Sequence, residues 1–329
     1  MQQYNKLTTE SYDDYFVRLF ENKDAYKLTC TDIANLLNQV NGQNKGECAY
    51  RKQFKNFQRG RMYERRKNSA AYRRILSISD LHIPFQKPVS VFSKYAGKID
   101  ILQINGDVMD NAAISKFSKA FRSSVMDDII EARNYLIELI TLLSPSKVVI
   151  LYGNHDLRFE NYLAKNLNSD LIELMPKTPI ELIVNGGFTR YDKLTRSKTW
   201  YEPLRNIFPD IEIEYNDSWH CQIGETIFCH PLAYSSGIMK TSEKAMLYFR
   251  NEGYKFTSLV MGHIHRIGYS YIGNTQIFEQ GACCNTSLMQ YNDGKLVNSQ
   301  KEGYLYLEQS AAGELKNYHQ EILEKGFLT

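Results

Sequence analysis

The stretch Ile75-Leu76-Ser77-Ile78-Ser79-Asp80-Leu81-His82-Ile83-Pro84-Phe85-Gln86 decides how this chain is to be read. Its first half is a short apolar run, the pattern of a buried strand. A carboxylate and an imidazole, two residues apart, close it. On an extended backbone side chains i and i+2 lie on one side, so Asp80 and His82 can face one point. Taken alone, the stretch better fits a turn carboxylate beside a solvated histidine. What separates the two readings is whether other strands end in the same way.

They do. Ile101-Leu102-Gln103-Ile104 runs into Asn105-Gly106-Asp107-Val108-Met109-Asp110, and Val148-Val149-Ile150-Leu151-Tyr152 into Gly153-Asn154-His155-Asp156. Thr226-Ile227-Phe228-Cys229 runs into His230-Pro231, and Leu259-Val260-Met261 into Gly262-His263-Ile264-His265. Of the 7 histidines, five fall at these ends; His220 and His319 lie outside them and take no assigned role. In open α/β sheets, sites form beyond the carboxyl ends of strands, so the five ends are expected to converge.

Apolar runs read as strands at 75–79, 100–104, 147–152, 225–229, 257–261 and 269–273. Between two of them, residues 123–143 carry Ile129, Ala132, Leu136, Leu139, Ile140 and Leu143 at helical spacing. Strand, helix, strand alternation predicts a layered α/β domain over residues 71–329. Residues 186–216 are polar and aromatic with weak periodicity, and read as an insertion at the rim of that domain.

Residues 1–70 differ. Ile33, Leu36, Leu37 and Val40 recur at helical spacing, with Thr31 placed as the N-cap; a Gly-containing turn and a basic helix follow. Helix, turn, basic helix is a loose match to a helix-turn-helix. This segment holds 13 Lys+Arg against 8 Asp+Glu, whereas the remainder holds 27 against 29. The overall charge of +3 is therefore an N-terminal excess on a slightly acidic remainder, which argues for two modules with different partners.

The composition, 43% hydrophobic and 23% charged, is that of a soluble globular protein. No apolar run approaches the roughly 18–20 residues of a membrane span. The N-terminus lacks a basic-then-apolar signal pattern. The 6 cysteines show no disulfide or zinc-finger spacing, so a reducing cytoplasm is expected. Cys283-Cys284 read as small buried residues.

The ordered set Asp-x-His, Gly-Asp-x-x-Asp, Gly-Asn-His-Asp, His and Gly-His-x-His resembles the calcineurin-like metallophosphoesterase superfamily, over roughly residues 72–310. The resemblance implies a β-sandwich flanked by helices, with the small all-α domain of residues 1–70 outside it. It also implies two divalent metal ions. Phosphate esters are anionic and repel hydroxide, and two cations about 3.5–4 Å apart gather both and acidify a water. Carboxylate, carboxamide and imidazole donors suit manganese first, with iron, zinc or nickel as alternatives.

Carried across residue by residue, the resemblance puts Asp80, His82 and His265 on one metal and Asn154, His230 and His263 on the other. It puts Asp107 between them. His155 then stands where the leaving oxygen is protonated, with Asp156 orienting that imidazole. Two departures matter. The protein phosphatases of this superfamily carry Asp-Arg-Gly where this chain has Asp110-Asn111-Ala112, and that Arg clamps a phosphomonoester. Cys229 stands beside His230 where many relatives have Gly. Asp110 reads equally as a carboxylate orienting a metal ligand or as a turn residue. Arg158, Arg266 and Lys240 lie near the motifs in sequence and are candidate substrate-phosphate contacts, against the reading of ordinary surface charges.

In the basic segment, Tyr50, Phe54, Phe57 and Tyr63 interleave with cations that include Arg65, Arg66 and Lys67. Such a helix suits a nucleic-acid backbone, DNA foremost; equally, its aromatics suit a packed core and its charges a solvated face. The arrangement is loosely similar to phage or prophage phosphoesterases with a helical extension. The function expected is a metal-dependent phosphodiesterase acting on nucleic acid. A phosphomonoesterase or nucleotide phosphatase is the first alternative. A DNA-binding regulatory or assembly protein built on a scaffold domain is the second.

Overall fold

The structure, a computed structural model, describes residues 4–7, 10–68, 72–116, 124–289 and 300–323, and of residues 61–68 the backbone only. It divides into two compact units, Met1–Asn68 and Ser69–Thr329.

The first unit has three helices, α1 (Tyr12–Glu21), α2 (Cys30–Asn41) and α3 (Glu47–Asn68). Ser11 caps α1. Helix α2 begins one residue before the expected Thr31 cap, because Thr29 and Asp32 form a reciprocal capping box. Gly42 ends α2 in the left-handed conformation (φ 68°). The core of this unit is Tyr15, Phe16, Leu19, Ile33, Ala34, Leu37 and Tyr50, with Phe20 and Phe54 against it. Phe20 and Phe54 stack at 4.7 Å. Two of the aromatics interleaved with the basic residues, Tyr50 and Phe54, are thus core residues. Arg65, Arg66 and Lys67 lie on α3, but their side chains fall outside the described residues.

The second unit is built on two sheets. The first runs β13 (Leu315–Ile322), β12 (Gly303–Ser310), β1 (Tyr72–Ile78), β2 (Ile101–Asn105), β3 (Lys147–Leu151) and β6 (Glu212–Asn216). Strands β1, β2, β3 and β6 are parallel and β12 and β13 antiparallel. The second sheet runs β10 (Ile267–Ile272), β11 (Thr275–Gln280), β9 (Ser258–Met261), β8 (Thr226–Cys229) and β7 (His220–Ile223). A separate hairpin joins β4 (Phe188–Tyr191) to β5 (Lys198–Tyr201).

The period-2 alternation of each strand explains the layering. Ile75, Ile101, Val149, Leu151, Phe228, Val260, Phe278, Leu305 and Leu307 form one core, drawn from both sheets. Their neighbours Leu76, Leu102, Val148 and Ile150 point the other way, into a core shared with α4 (Val125–Leu143). Ile227, Leu259 and Ile277 do the same on the second sheet, against Ala245, Met246 and Phe249 of the helix Lys240–Asn251. Strands covered on both faces read as continuous apolar runs, which is why their sequences were legible.

One boundary needs correction. Residues 186–216 are not wholly an insertion: Glu212–Asn216 pairs in register with β3 as the edge strand of the first sheet, burying Ile213. Its alternation is masked because Glu212 and Glu214 flank the one buried position and both reach Lys147 Nζ.

Candidate metal centre

The loops after β1, β2, β3, β8 and β9 carry Asp80/His82, Asp107/Asp110, Asn154/His155, His230 and His263/His265. They form three clusters: Asp80, His82 and His265; Asp107, His230 and His263; and His82, Asp110 and His155. Asp80 Oδ1 lies 3.1 Å from His265 Nε2 and 3.8 Å from His82 Nε2. Those two imidazole nitrogens are 3.0 Å apart. Asp107 Oδ2 faces one imidazole of each set, His230 Nε2 at 3.3 Å and His82 Nε2 at 3.7 Å. Asn154 Oδ1 is 3.3 Å from His230 Nε2.

The backbone that makes them converge is not the extended one expected at Asp80 and His82, since β1 ends at Ile78. Asp80, His82, Asp107, His263 and His265 all sit at positive φ, between 46° and 80°. For non-glycine residues that region costs of order 1–3 kcal/mol each and persists where a site requires it. Two glycines make room. A Cβ on Gly153 would stand 2.1 Å from Asp107 Oδ1, and one on Gly106 2.5 Å from the His230 ring.

Hydrogen bonds fix the donors from behind. His230 Nδ1 donates to the Asn105 carbonyl at 2.8 Å, which leaves Nε2 as the inward lone pair. The His263 amide donates to both Asp80 oxygens, at 3.2 and 3.0 Å. The Ser79 hydroxyl donates to Asp80 at 2.5 Å. His263 Nε2 is buried with no hydrogen-bond partner among the described residues. An orphaned imidazole nitrogen beside converging carboxylates is the arrangement a divalent cation completes, so the residues present fit a pair of such ions.

The charges agree. Burial disfavours ionisation, yet the facing imidazoles hold Asp80 and Asp107 below the usual carboxylate range. Burial also opposes charge on His82 and His230, but Asp110, Asp80 and Asp107 push His82 up to about 10, and Asp107 pushes His230 up to about 9. The carboxylates therefore draw positive charge into the site. His155 and His263 are instead held down at about 4 by burial.

One predicted role changes hands. Asp156 does not orient His155. Its carboxylate is buried and accepts backbone N–H bonds from Gly153 at 2.9 Å, Met109 at 3.1 Å and Val108 at 3.3 Å. It ties the β2 and β3 loops together. Burial and the Asp107 charge push it up to about 7. The carboxylate facing His155 Nδ1 is Asp110, at 2.9 Å. Asp110 Oδ1 also lies 3.5 Å from His82 Nδ1. Asp110 thus orients His155 and stands beside His82 Nδ1, which favours the first of its two readings. No local signal gives this partner, since 45 residues separate it from His155.

The three predicted substrate cations divide. Arg158 is at the centre: its guanidinium donates to the Asp110 carbonyl at 2.6 Å and lies 3.1 Å from His155 Nε2. Arg266 is instead turned to the loop after β8, bonding the Gly237 and Ser236 carbonyls and the Tyr234 hydroxyl. Lys240 pairs with Glu243 on its own helix at 2.6 Å. Cys283 and Cys284 are fully buried, and burial pushes Cys283 up to about 12, so neither offers a thiolate.

A family description agrees with the geometry: residues 73–266 match the calcineurin-like phosphoesterases. The chain belongs to that family. Within the matched residues lie the three clusters of side chains that could hold metal ions. Residues 1–69 match a second description, the YonJ N-terminal domain. A curated relative, the SPbeta prophage-derived protein YonJ of Bacillus subtilis (strain 168), is 34% identical over 76 residues. That overlap is 23% of this chain and 19% of the relative, so the chain matches about a fifth of the relative's length. Among solved structures, Vps29 of Cryptosporidium parvum is 14% identical, covering 78% of this chain and all of its own, with a TM-score of 0.36. An archaeal phosphodiesterase is 12% identical, covering 76% of this chain and 99% of its own, with a TM-score of 0.35. Likenesses of this size say nothing of substrate. Among the described residues no helix is long and apolar enough to cross a membrane.

Proposed function

We propose that this chain is a phosphodiesterase that hydrolyses nucleic-acid phosphodiester bonds, DNA foremost, with two divalent ions, manganese as the preferred pair. Asp80, His82 and His265 hold one ion, Asn154, His230 and His263 the other, and Asp107 stands between. When bound, the ions supply Lewis acidity to the phosphate and acidify the attacking water.

The chain's own groups do the rest. His155 is the proton donor to the leaving oxygen, and Nε2 is the atom that hands the proton over. Its Nδ1–H is held by Asp110, which favours the imidazolium once an anionic phosphate arrives. Burial, together with Arg158 facing Nε2 at 3.1 Å, holds the imidazole down, so Nε2 takes up its proton only when an anionic phosphate draws that guanidinium away.

The observation that carries the diester reading is Asn111. Where an arginine clamp for a phosphomonoester is expected, this side chain is fully buried and donates to the His155 carbonyl at 3.0 Å. It cannot reach a substrate. A diester carries less charge and needs less of a clamp. The basic excess of residues 1–70 supports a polyanionic substrate.

The test compares para-nitrophenyl phosphate, bis-para-nitrophenyl phosphate and single- and double-stranded DNA with manganese, using the full chain and a form lacking residues 1–70. The diesters are expected to be preferred, and the deletion to lower DNA cleavage relative to the small diester, most at low salt. Preference for the monoester puts the nucleotide phosphatase reading ahead.

A further inference from the structure

A cleft of about 590 Å³ opens beside the metal centre, lined by residues 113–116 and by Asn154, Arg158, Asn161, Tyr162, Lys165 and Asn166. Five of these lie on α5 (Arg158–Asn166) at i, i+3, i+4, i+7 and i+8, one face of the helix. That spacing usually marks the apolar stripe that buries a helix. Here it is Arg, Asn, Tyr, Lys and Asn, and α5 has no buried residue at all. A helix with a coherent polar face and nothing buried beneath it leaves that face to the open cleft.

The chemistry of the lining selects the ligand class. Among the described residues, three cations, Lys116, Arg158 and Lys165, line the cleft and no carboxylate does. Lys165 makes no ion pair among the described residues, although Glu160 shares its helix. Tyr162 is 44% exposed and offers a ring face. Asn154 belongs both to the cleft and to the metal centre, so the two are continuous. From Arg158 to Lys165 the helix rises about 10.5 Å. A nucleic-acid strand advancing ~3.4 Å or more per nucleotide crosses that distance in about three nucleotides or fewer.

We propose that this cleft binds the part of a single-stranded nucleic acid flanking the scissile phosphate, with Tyr162 stacking on a base and Lys165 taking the next phosphate. This rests on the phosphodiesterase reading and gives it a strand preference. A cationic groove with an aromatic platform holds single strands without reading sequence, because every base has a π-face.

The experiment measures two quantities on the full chain and on Tyr162→Ala, Tyr162→Phe and Lys165→Glu. The first is binding of a fluorescent single-stranded oligodeoxynucleotide by anisotropy in chelator, where no turnover occurs. The second is the ratio of kcat/KM for the oligonucleotide to that for bis-para-nitrophenyl phosphate with manganese. Tyr162→Ala should weaken binding roughly 5- to 100-fold, as expected for one lost stack, and lower the ratio through KM. Tyr162→Phe should restore both. Lys165→Glu should reduce the slope of log affinity against log salt by about one. Unchanged binding and ratio in Tyr162→Ala and Lys165→Glu, with the wild type active on the oligonucleotide, overturn the cleft as a subsite and leave the nuclease reading standing. A wild type that hydrolyses the small diester but neither binds nor cleaves the oligonucleotide overturns both. Circular dichroism on each variant separates these results from misfolding; because α5 buries nothing, all three should fold.

Discussion

Replacing Asp156 by Asn should damage the fold more than the proton transfer, and replacing Asp110 by Asn should do the reverse. Asp156 Oδ2 accepts from Gly153 and Val108, and Oδ1 from Met109. An amide of the same shape can keep its oxygen toward the first pair but must turn its NH2 toward the Met109 N–H. One charge-assisted bond, about 1.5–3 kcal/mol, is lost, and two fall to neutral strength at about 1 kcal/mol each. Burial opposes the charge being removed and pushes Asp156 up to about 7, which offsets part of this. The net loss is therefore expected to be at most about 2–4 kcal/mol. Asp110→Asn leaves the loop backbone intact. It removes the charge facing His155 Nδ1 at 2.9 Å and His82 Nδ1 at 3.5 Å. Its expected cost is a 10- to 100-fold fall in activity or metal affinity, the usual range for a group orienting a metal-bound imidazole. Urea unfolding in chelator reads stability without the contribution of bound metal. Hydrolysis of bis-para-nitrophenyl phosphate with manganese reads activity. A fully stable but inactive Asp156→Asn beside a fully active Asp110→Asn would refute the reassignment and return Asp156 to the imidazole.

Asp107→Ala should leave the sandwich folded but lower bound metal, measured by plasma mass spectrometry, and abolish turnover; an active variant with two metals refutes its central place. His155→Asn should keep both metals and lose roughly 10²–10⁴ in kcat, less for substrates with good leaving groups; an equal loss on good and poor leaving groups counts against it as the acid. In the first unit, Arg18 bonds both Glu10 oxygens, at 2.7 and 2.8 Å, and holds that carboxyl below its usual range. A lowered folded-state pKa gives stability that is present above the unfolded value, about 4.3, and is lost as pH falls through the folded one. Glu10→Gln should therefore weaken hydrogen-exchange protection of α1 at pH 7, with the difference closing toward pH 3; a difference independent of pH rejects the ion pair as its source.

Much of the site was legible in the sequence because its information is local. A buried strand announces itself within five residues, and the residue types that follow it declare their chemistry at once. Those motifs carry the family resemblance, the resemblance assigns Asp80, His82, Asp107, Asn154, His230, His263 and His265 as metal ligands, and the loops bring them together. The outer strands were less legible. β12 and β13 lie at one end of the first sheet, and β13 is largely exposed, so no continuous apolar run marks it. β6 was hidden by two glutamates that serve Lys147.

What only the tertiary structure decided is which buried group answers which. Asp110 and Asp156 are indistinguishable as sequence, each a carboxylate in a Gly-containing loop. The parallel register of β2 beside β3 carries Asp110 to His155 across 45 residues and leaves Asp156 beneath three backbone amides. Arg266 likewise looked like a phosphate ligand and is tied to the Tyr234–Gly237 loop. The face of α5 could be read as a stripe in the sequence, but not as a cleft wall. Periodicity shows that one side of a helix is alike; only packing shows whether that side meets a core or open space.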